Sequence, residues 1–319
     1  MKLFIYIPTY RRPQALIEQL KVLLPQVANH PKVRVIINEN DGYVEGSELA
    51  KRVSEDAKNI SFYRNLGNID GNANISLGFV FAEPDEFLWI LSDNDIISSS
   101  SIEYVLSELD PEIDFIAMRY DVKQSTDITH QWRSGVGPIM DWRMGLISDS
   151  LYNCNTIKDF VKNAFFYHNS SFPHLAVIFG TLQGLGETRF RFIPRENVHS
   201  QLLDSNEHKT DYYVAHAGML QLAHLMPKWE RRTFLCNWLL KHGNVFFRSK
   251  REYPAVFSGS VGTISELGSA QVKVIFYAIL FLNILLRPIY YNIDFLKKVS
   301  KKYLPYFILE KIKNLGRWL

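Results

Sequence analysis

Apolar residues near the start of this chain fall into short runs that stop abruptly at polar ones. Residues 2–7, 33–37, 60–63 and 87–91 are dominated by Val, Ile, Leu, Phe, Tyr and Trp, the composition of buried strands. Each run ends in a polar segment: Pro8-Thr9-Tyr10-Arg11-Arg12-Pro13, then Asn38-Glu39-Asn40-Asp41-Gly42, then residues 64–74, then Ser92-Asp93-Asn94-Asp95. Between the runs the spacing of apolar residues lengthens, which predicts helices over 14–24, 45–58 and about 75–82. Four strand-then-polar-loop units alternating with helices, within about the first 95 residues, predict an α/β fold with a mostly parallel sheet sandwiched by helices. In such sheets ligands bind outside the carboxyl ends of the strands, where these polar segments lie.

Further along, the pattern predicts a helix over 100–109 and a strand over 114–120, followed by an irregular segment over 121–143. That segment holds Trp132, Gly135, Gly137, Pro138 and Trp142. Indole faces on a glycine-hinged loop suit a sugar platform, because pyranose rings stack on them; packing of both tryptophans into the core is the alternative. Phe172-Pro173-His174 opens another helix, and Arg191-Phe192-Ile193-Pro194 reads as a strand ending in proline. From about residue 204 the pattern turns helical, most clearly over 212–226 and 229–241. The chain therefore divides by pattern into residues 1–204 and a helical extension, 205–319. His208, His216 and His224 recur every eight residues there, which drifts around a helix and does not make a metal-binding pair.

Composition adds bounds. With 319 residues, 47% hydrophobic and 22% charged, the chain can bury a large core. A net charge of +3 is too small to imply nucleic acid as the partner of the whole protein. The charge is concentrated, however: residues 287–319 carry eight basic and two acidic side chains, a net of +6, so the first 286 residues sum to −3. Large residues such as Phe295, Tyr303, Phe307 and Trp318 interleave with these cations, a pattern suited to an anionic membrane surface at about 1 kcal/mol per Lys or Arg. Packing on the catalytic domain, or a homodimer, is the other use for such a tail. Residues 274–286 are apolar except for Asn283, but as a helix they would reach only about 20 Å, short of a bilayer's hydrocarbon core. The apolar run at the N-terminus is too short for a signal-peptide core, and the two distant cysteines, Cys154 and Cys236, form neither a metal spacing nor a disulfide framework. Both features fit a reducing, cytoplasmic compartment.

The candidate chemistry centres on Asp93 and Asp95. A solvated Asp-x-Asp turn is common, but two carboxylates at the polar end of a buried strand can also hold Mg²⁺ or Mn²⁺ against a diphosphate. Pro8-Thr9-Tyr10, the acid and amide end of the second strand, Asn65-x-Gly67 with Asn72 and Asn74, and Trp89-Ile90-Leu91-Ser92-Asp93-Asn94-Asp95 together resemble glycosyltransferase family 2. The resemblance covers roughly the first hundred residues, and most resembles the abequosyltransferase-like branch of bacterial surface-polysaccharide enzymes, whose strand reads Trp-Ile-Leu-Gly-Asp-Asp-Asp. Ser92 and Asn94 depart from that string; the outer acids remain.

The resemblance implies a GT-A fold and metal-dependent, inverting transfer of a sugar from a nucleotide-diphosphate donor, with Mn²⁺ or Mg²⁺ on Asp93 and Asp95. It sets Pro8, Thr9 and Tyr10 against the nucleotide, with Arg11 and Arg12 available to screen diphosphate charge and Glu39 or Asp41 against base or ribose. Asn65, Asn72 and Asn74 are candidate ligands or ordinary loop formers. The implied acceptor is a lipid-linked oligosaccharide or growing surface glycan (O-antigen or capsule), at the inner face of the cell membrane. Many relatives take the acceptor's proton with the Asp of a Glu-Asp pair, absent here; His174 stands in that place, with Glu187 and Asp149 as rivals. Gly145-Leu146-Ile147-Ser148 resembles the strand before the acceptor helix, and His199 takes a position from which some relatives supply a third metal ligand. A nucleotidyltransferase is a second reading, although it expects a glycine-rich loop after the first strand. A sugar-nucleotide-binding scaffold that has lost its base is a third.

Overall fold

The computed structural model describes residues 1–28, 30–41, 48, 57–131, 146–202 and 218–227, with isolated positions from 230 to 277. The helix expected over 45–58 lies almost wholly outside the described residues, as do both loop tryptophans and the basic tail. The chain forms two compact units, Met1–Glu207 and His208–Leu319. Among the described residues no helix is long and apolar enough to cross a membrane.

The first unit is built on an eight-stranded sheet. In chain order its opening elements are β1 (Lys2–Thr9), α1 (Pro13–Val27), β2 (Val33–Glu39), β3 (Ile60–Arg64), α2 (Gly71–Phe81), β4 (Glu86–Ile90), β5 (Asp95–Ile97) and α3 (Ser101–Glu108). There follow β6 (Phe115–Arg119), β7 (Thr126–Gln131), β8 (Ser150–Asn153), α4 (Cys154–Ile157), α5 (Lys162–Phe166), α6 (Pro173–Leu185), β9 (Glu187–Pro194) and β10 (His199–Leu202). Strand order is β3-β2-β1-β4-β8-β6-β9-β7, with β5 and β10 as a separate antiparallel pair. β3, β2, β1 and β4 are mutually parallel; β8 runs against both β4 and β6, which restores the original direction for β6 and β9. Six strands thus deliver their carboxyl ends to one edge.

The two faces of β1 show how the core is divided. Leu3, Ile5 and Ile7 join Leu16, Leu20, Leu23 and Val27 of α1, and Ile102 and Val105 of α3, in an aliphatic layer. The alternate residues Phe4 and Tyr6 turn to an aromatic layer in which Tyr6 stacks on Phe81, and Phe79 and Phe115 both meet Tyr152 edge-on. Gly78 of α2 lies against the Tyr6 ring, where an added Cβ would come within 2.8 Å of Cδ1. α2 begins earlier than its apolar pattern suggests because the Asp70 carboxylate accepts from the Asn72 amide and caps it.

At the amino-end edge, the buried carboxylate of Glu86 receives Nε and Nη2 of Arg34 at 2.9 and 2.7 Å, and the guanidinium lies 3.9 Å over the Phe4 ring. A buried acid needs such a partner. Two expectations are corrected here. The segment after β6 is not irregular throughout: Thr126–Gln131 forms β7, antiparallel to β9 at the sheet edge. Ile147–Asp149 is a 3-10 turn, and the strand starts at Ser150.

Gly78→Ala should shift the Tyr6 ring and destabilise the protein by about 1–3 kcal/mol in urea denaturation, an overpacking cost. Burial pushes the Cys154 thiol up to about 12, so it stays protonated at neutral pH. Iodoacetamide at pH 8 should leave the Cys154 peptide unmodified in the native protein and alkylate it in urea, as read by mass spectrometry.

Candidate active site

The carboxyl ends of β1, β2, β3 and β4 present Thr9, Glu39, Arg64 and Ile90, and the polar segments beyond them meet. Leu91, Ser92 and the two acids continue from β4, and Asp95 opens β5. Asp93 is only 3% exposed. Its Oδ2 accepts from the Thr9 hydroxyl at 2.8 Å, and its Oδ1 lies 3.4 Å from Nη1 of Arg12. Burial pushes its carboxyl above the usual carboxylate range; Thr9 and Arg12 pull it back, and Asp95 adds to the rise. The turn carrying the acids is held from both sides. The Ser92 amide donates to Oγ of Ser148 at 2.9 Å, and Nε2 of Gln19 donates to the carbonyls of Ser92 and Asp95.

Amides dominate the neighbouring part of the edge. Asn38 Nδ2 donates to the Tyr6 hydroxyl and to Asn74 Oδ1, both at 2.8 Å, while Tyr6 donates to the Asn74 carbonyl. Asn65 donates to Asn40 Oδ1 at 3.1 Å, and Asn40 donates to Asn68 at 3.0 Å and receives the Ile69 amide. Asn65 and Asn74, candidate ligands or loop formers by sequence, direct amide groups to one another and to the second strand end. Asn40 and Asn68, not expected at all, complete the network; the density of asparagine at two strand ends was the available signal. Asn72 sits in the first turn of α2, its carbonyl accepting from Ser76. Pro8 ends β1 beside Thr9, and Tyr10 is exposed with the Arg11 guanidinium 5.1 Å from its ring. Glu39 accepts the Arg11 amide, and Arg11 pairs with Asp41 at 2.6 Å, so both acids of the second strand end face the first.

A third group closes the edge beyond β4. Arg195 Nε lies 2.9 and 3.1 Å from the two oxygens of buried Asp149. His199 Nε2 is 3.3 Å from the Ser148 carbonyl, which also receives Trp89 Nε1 at 2.8 Å, and 3.5 Å from Asp149 Oδ1. Burial, reinforced by Arg195, pulls the His199 pKa down to about 3, so the ring is neutral. Asp149 thus forms an interior ion pair with Arg195.

The other two candidates for the base are far apart. β9 begins with Glu187, whose carboxylate accepts from Gln131 across the pair with β7. Strand register aligns Leu88 with Tyr152, Phe115 and Phe190. Glu187 precedes that line by three residues and Ile90, the end of β4, follows it by two, a separation of about 17 Å along the strands. Glu187 therefore lies toward the opposite edge of the sheet from Asp93. His174, fully buried in the first turn of α6, is separated from Glu187 by the helix, about 20 Å long.

A divalent cation fits the donors at the strand end. Asp93 and Asp95 offer hard oxygens, and the burial that disfavours a bare Asp93 carboxylate is what a cation offsets. Among the described residues no group of three or more His, Cys, Asp or Glu side chains is arranged around one metal position, so phosphate and water would complete the shell.

No family model matches the sequence, and no curated protein matches it. Solved structures do. Residues 1–349 of TarS from S. aureus, in complex with UDP-GlcNAc, superpose with a TM-score of 0.58 at 13% identity, over 86% of this chain and 84% of that one. The mannosyltransferase PcManGT from Pyrobaculum calidifontis, in complex with GDP-Man and Mn2+, gives 0.51 at 10% identity, over 89% and 80%. At these identities the likeness shows the fold: a mixed α/β architecture, mostly parallel, flanked by helices. The chain has the GT-A fold of glycosyltransferases.

Proposed function

We propose that this chain is a metal-dependent, inverting glycosyltransferase that moves a sugar from a nucleotide-diphosphate donor to a lipid-linked or growing surface glycan. One observation carries the reading: a buried Asp-x-Asp, anchored by Thr9 and Arg12, at the carboxyl edge of a GT-A sheet. Structural neighbours with UDP-GlcNAc or GDP-Man bound support a nucleotide sugar as donor. Asp93 and Asp95 would hold Mn²⁺ or Mg²⁺, which when bound neutralises charge on a departing diphosphate. Arg12, already beside Asp93, is placed to share that task. Glu39, Asp41 and the exposed Tyr10 border the space in which base and ribose would lie.

Inversion requires one displacement, with the acceptor hydroxyl attacking the anomeric carbon while a base takes its proton. His174 is the proposed base, since an imidazole serves near neutral pH, with Glu187 and Asp149 as the rivals. His199 is the proposed third metal ligand, the neutral imidazole being the form that binds a metal, with a satisfied core histidine as the alternative. The basic, aromatic-rich composition of residues 287–319 supports attachment to an anionic membrane surface at its cytoplasmic side.

Incubation with a panel of nucleotide sugars and Mn²⁺ should reveal hydrolysis or transfer with at least one donor. Asp95→Ala should then lower turnover at least about 100-fold, the equivalent of about 3 kcal/mol of charge stabilisation, while circular dichroism shows an intact fold. Full activity in that variant would overturn the proposal.

A further inference from the structure

Gln19 is out of place in the surface that surrounds it. It lies on the face of α1 that buries Leu16, Leu20 and Leu23 and is itself 0% exposed. Its side-chain Nε2 donates to the Asp95 carbonyl at 2.9 Å and also to the Ser92 carbonyl. The Asp95 amide in turn donates to the Ser92 carbonyl at 3.2 Å, closing the turn that Gln19 spans. The other amide atom, Oε1, is buried with no hydrogen-bond partner. Exchanging the two amide atoms would set an oxygen against two carbonyl oxygens, so the orientation is dictated by the turn. A buried, unpaired acceptor in an aliphatic layer costs stability, and a leucine or methionine would avoid that cost. What the amide does that they cannot is donate twice.

We infer that Gln19 is a positioning residue: its amide fixes the main chain of residues 92–95 and so sets the spacing of the Asp93 and Asp95 carboxylates before any ligand arrives. The consequence for metal affinity rests on the proposed function; the tether itself does not. Other anchors act on different atoms, Thr9 and Arg12 on the Asp93 side chain and Ser148 on the Ser92 amide, so they do not replace it. Without the tether each carboxylate keeps its chemistry but loses its fixed partner distance, which weakens cation capture more than it slows the reaction of the assembled complex.

Gln19→Met keeps the length and removes the donor. Hydrogen exchange read by mass spectrometry should show residues 92–95 exchanging about tenfold faster in the variant, with the strands of the sheet unchanged. The Mn²⁺ concentration for half-maximal turnover should rise about tenfold, while kcat at saturating Mn²⁺ stays within about threefold of wild type. On the wild-type protein, NMR should show the Gln19 side-chain amide protons protected from solvent exchange, a measurement that needs no variant to fold. Unprotected amide protons, or a variant with unchanged exchange at 92–95, would overturn the inference; so would a fall in kcat with no change in Mn²⁺ dependence. If no donor is turned over by the wild type, the functional proposal fails, and the exchange measurements alone decide whether Gln19 holds the turn.

Discussion

An ionisable carboxyl at the rim of a dry sheet is the constraint on which the rest of this site depends. Asp93 follows a strand that is buried along its whole length, and the carboxyl is itself almost inaccessible. Such a group is costly as a bare anion unless donors surround it. The donors come from the first strand end and the helix that follows it: the Thr9 hydroxyl, the Arg12 guanidinium and, through the main chain, the Gln19 amide. A cation delivered with a diphosphate would complete a compensation that these residues only begin. The site is thus organised by an electrostatic deficit that residues at and beyond the start of α1 partly offset.

The same edge uses a second kind of polar economy beside the acids. Asparagine side chains carry both a donor and an acceptor, so a set of them can satisfy one another where strand ends converge. Asn38, Asn40, Asn65, Asn68 and Asn74 are linked in this way around the Tyr6 hydroxyl, although Asn38 Oδ1 has no hydrogen-bond partner. The network ties β1, β2 and the start of α2 together without charge, and Gly78 lets α2 approach the Tyr6 ring closely enough to make it.

Much of this was legible in the chain. The apolar runs of β1, β2 and β4 and the polar segments that end them marked the strands and their order, because burial of strands leaves a direct mark on residue type. The first turn of α6 at Pro173 was legible for the same kind of reason, a proline pre-set for a helix start. Less was visible where a segment's meaning depended on a distant partner. Thr126–Gln131 has little apolar content and pairs only because β9 lies beside it. Asp149 looks like any acid until Arg195 is seen against it.

The sequence by itself determined the α/β class, the order of strand ends and the identity of the two acids at the fourth, since each is written in local composition and periodicity. Only the tertiary structure decided which polar residues serve those acids. Glu187 and His174 stand thirteen positions apart in the chain, yet the helix between them separates them by its full length and sends the glutamate to the opposite edge. Gln19 and Asp95 lie 76 positions apart and meet within hydrogen-bond distance. Periodicity records which face a residue turns to the core, whereas proximity between elements is set by strand order and register, and neither of those leaves a trace in neighbouring residues.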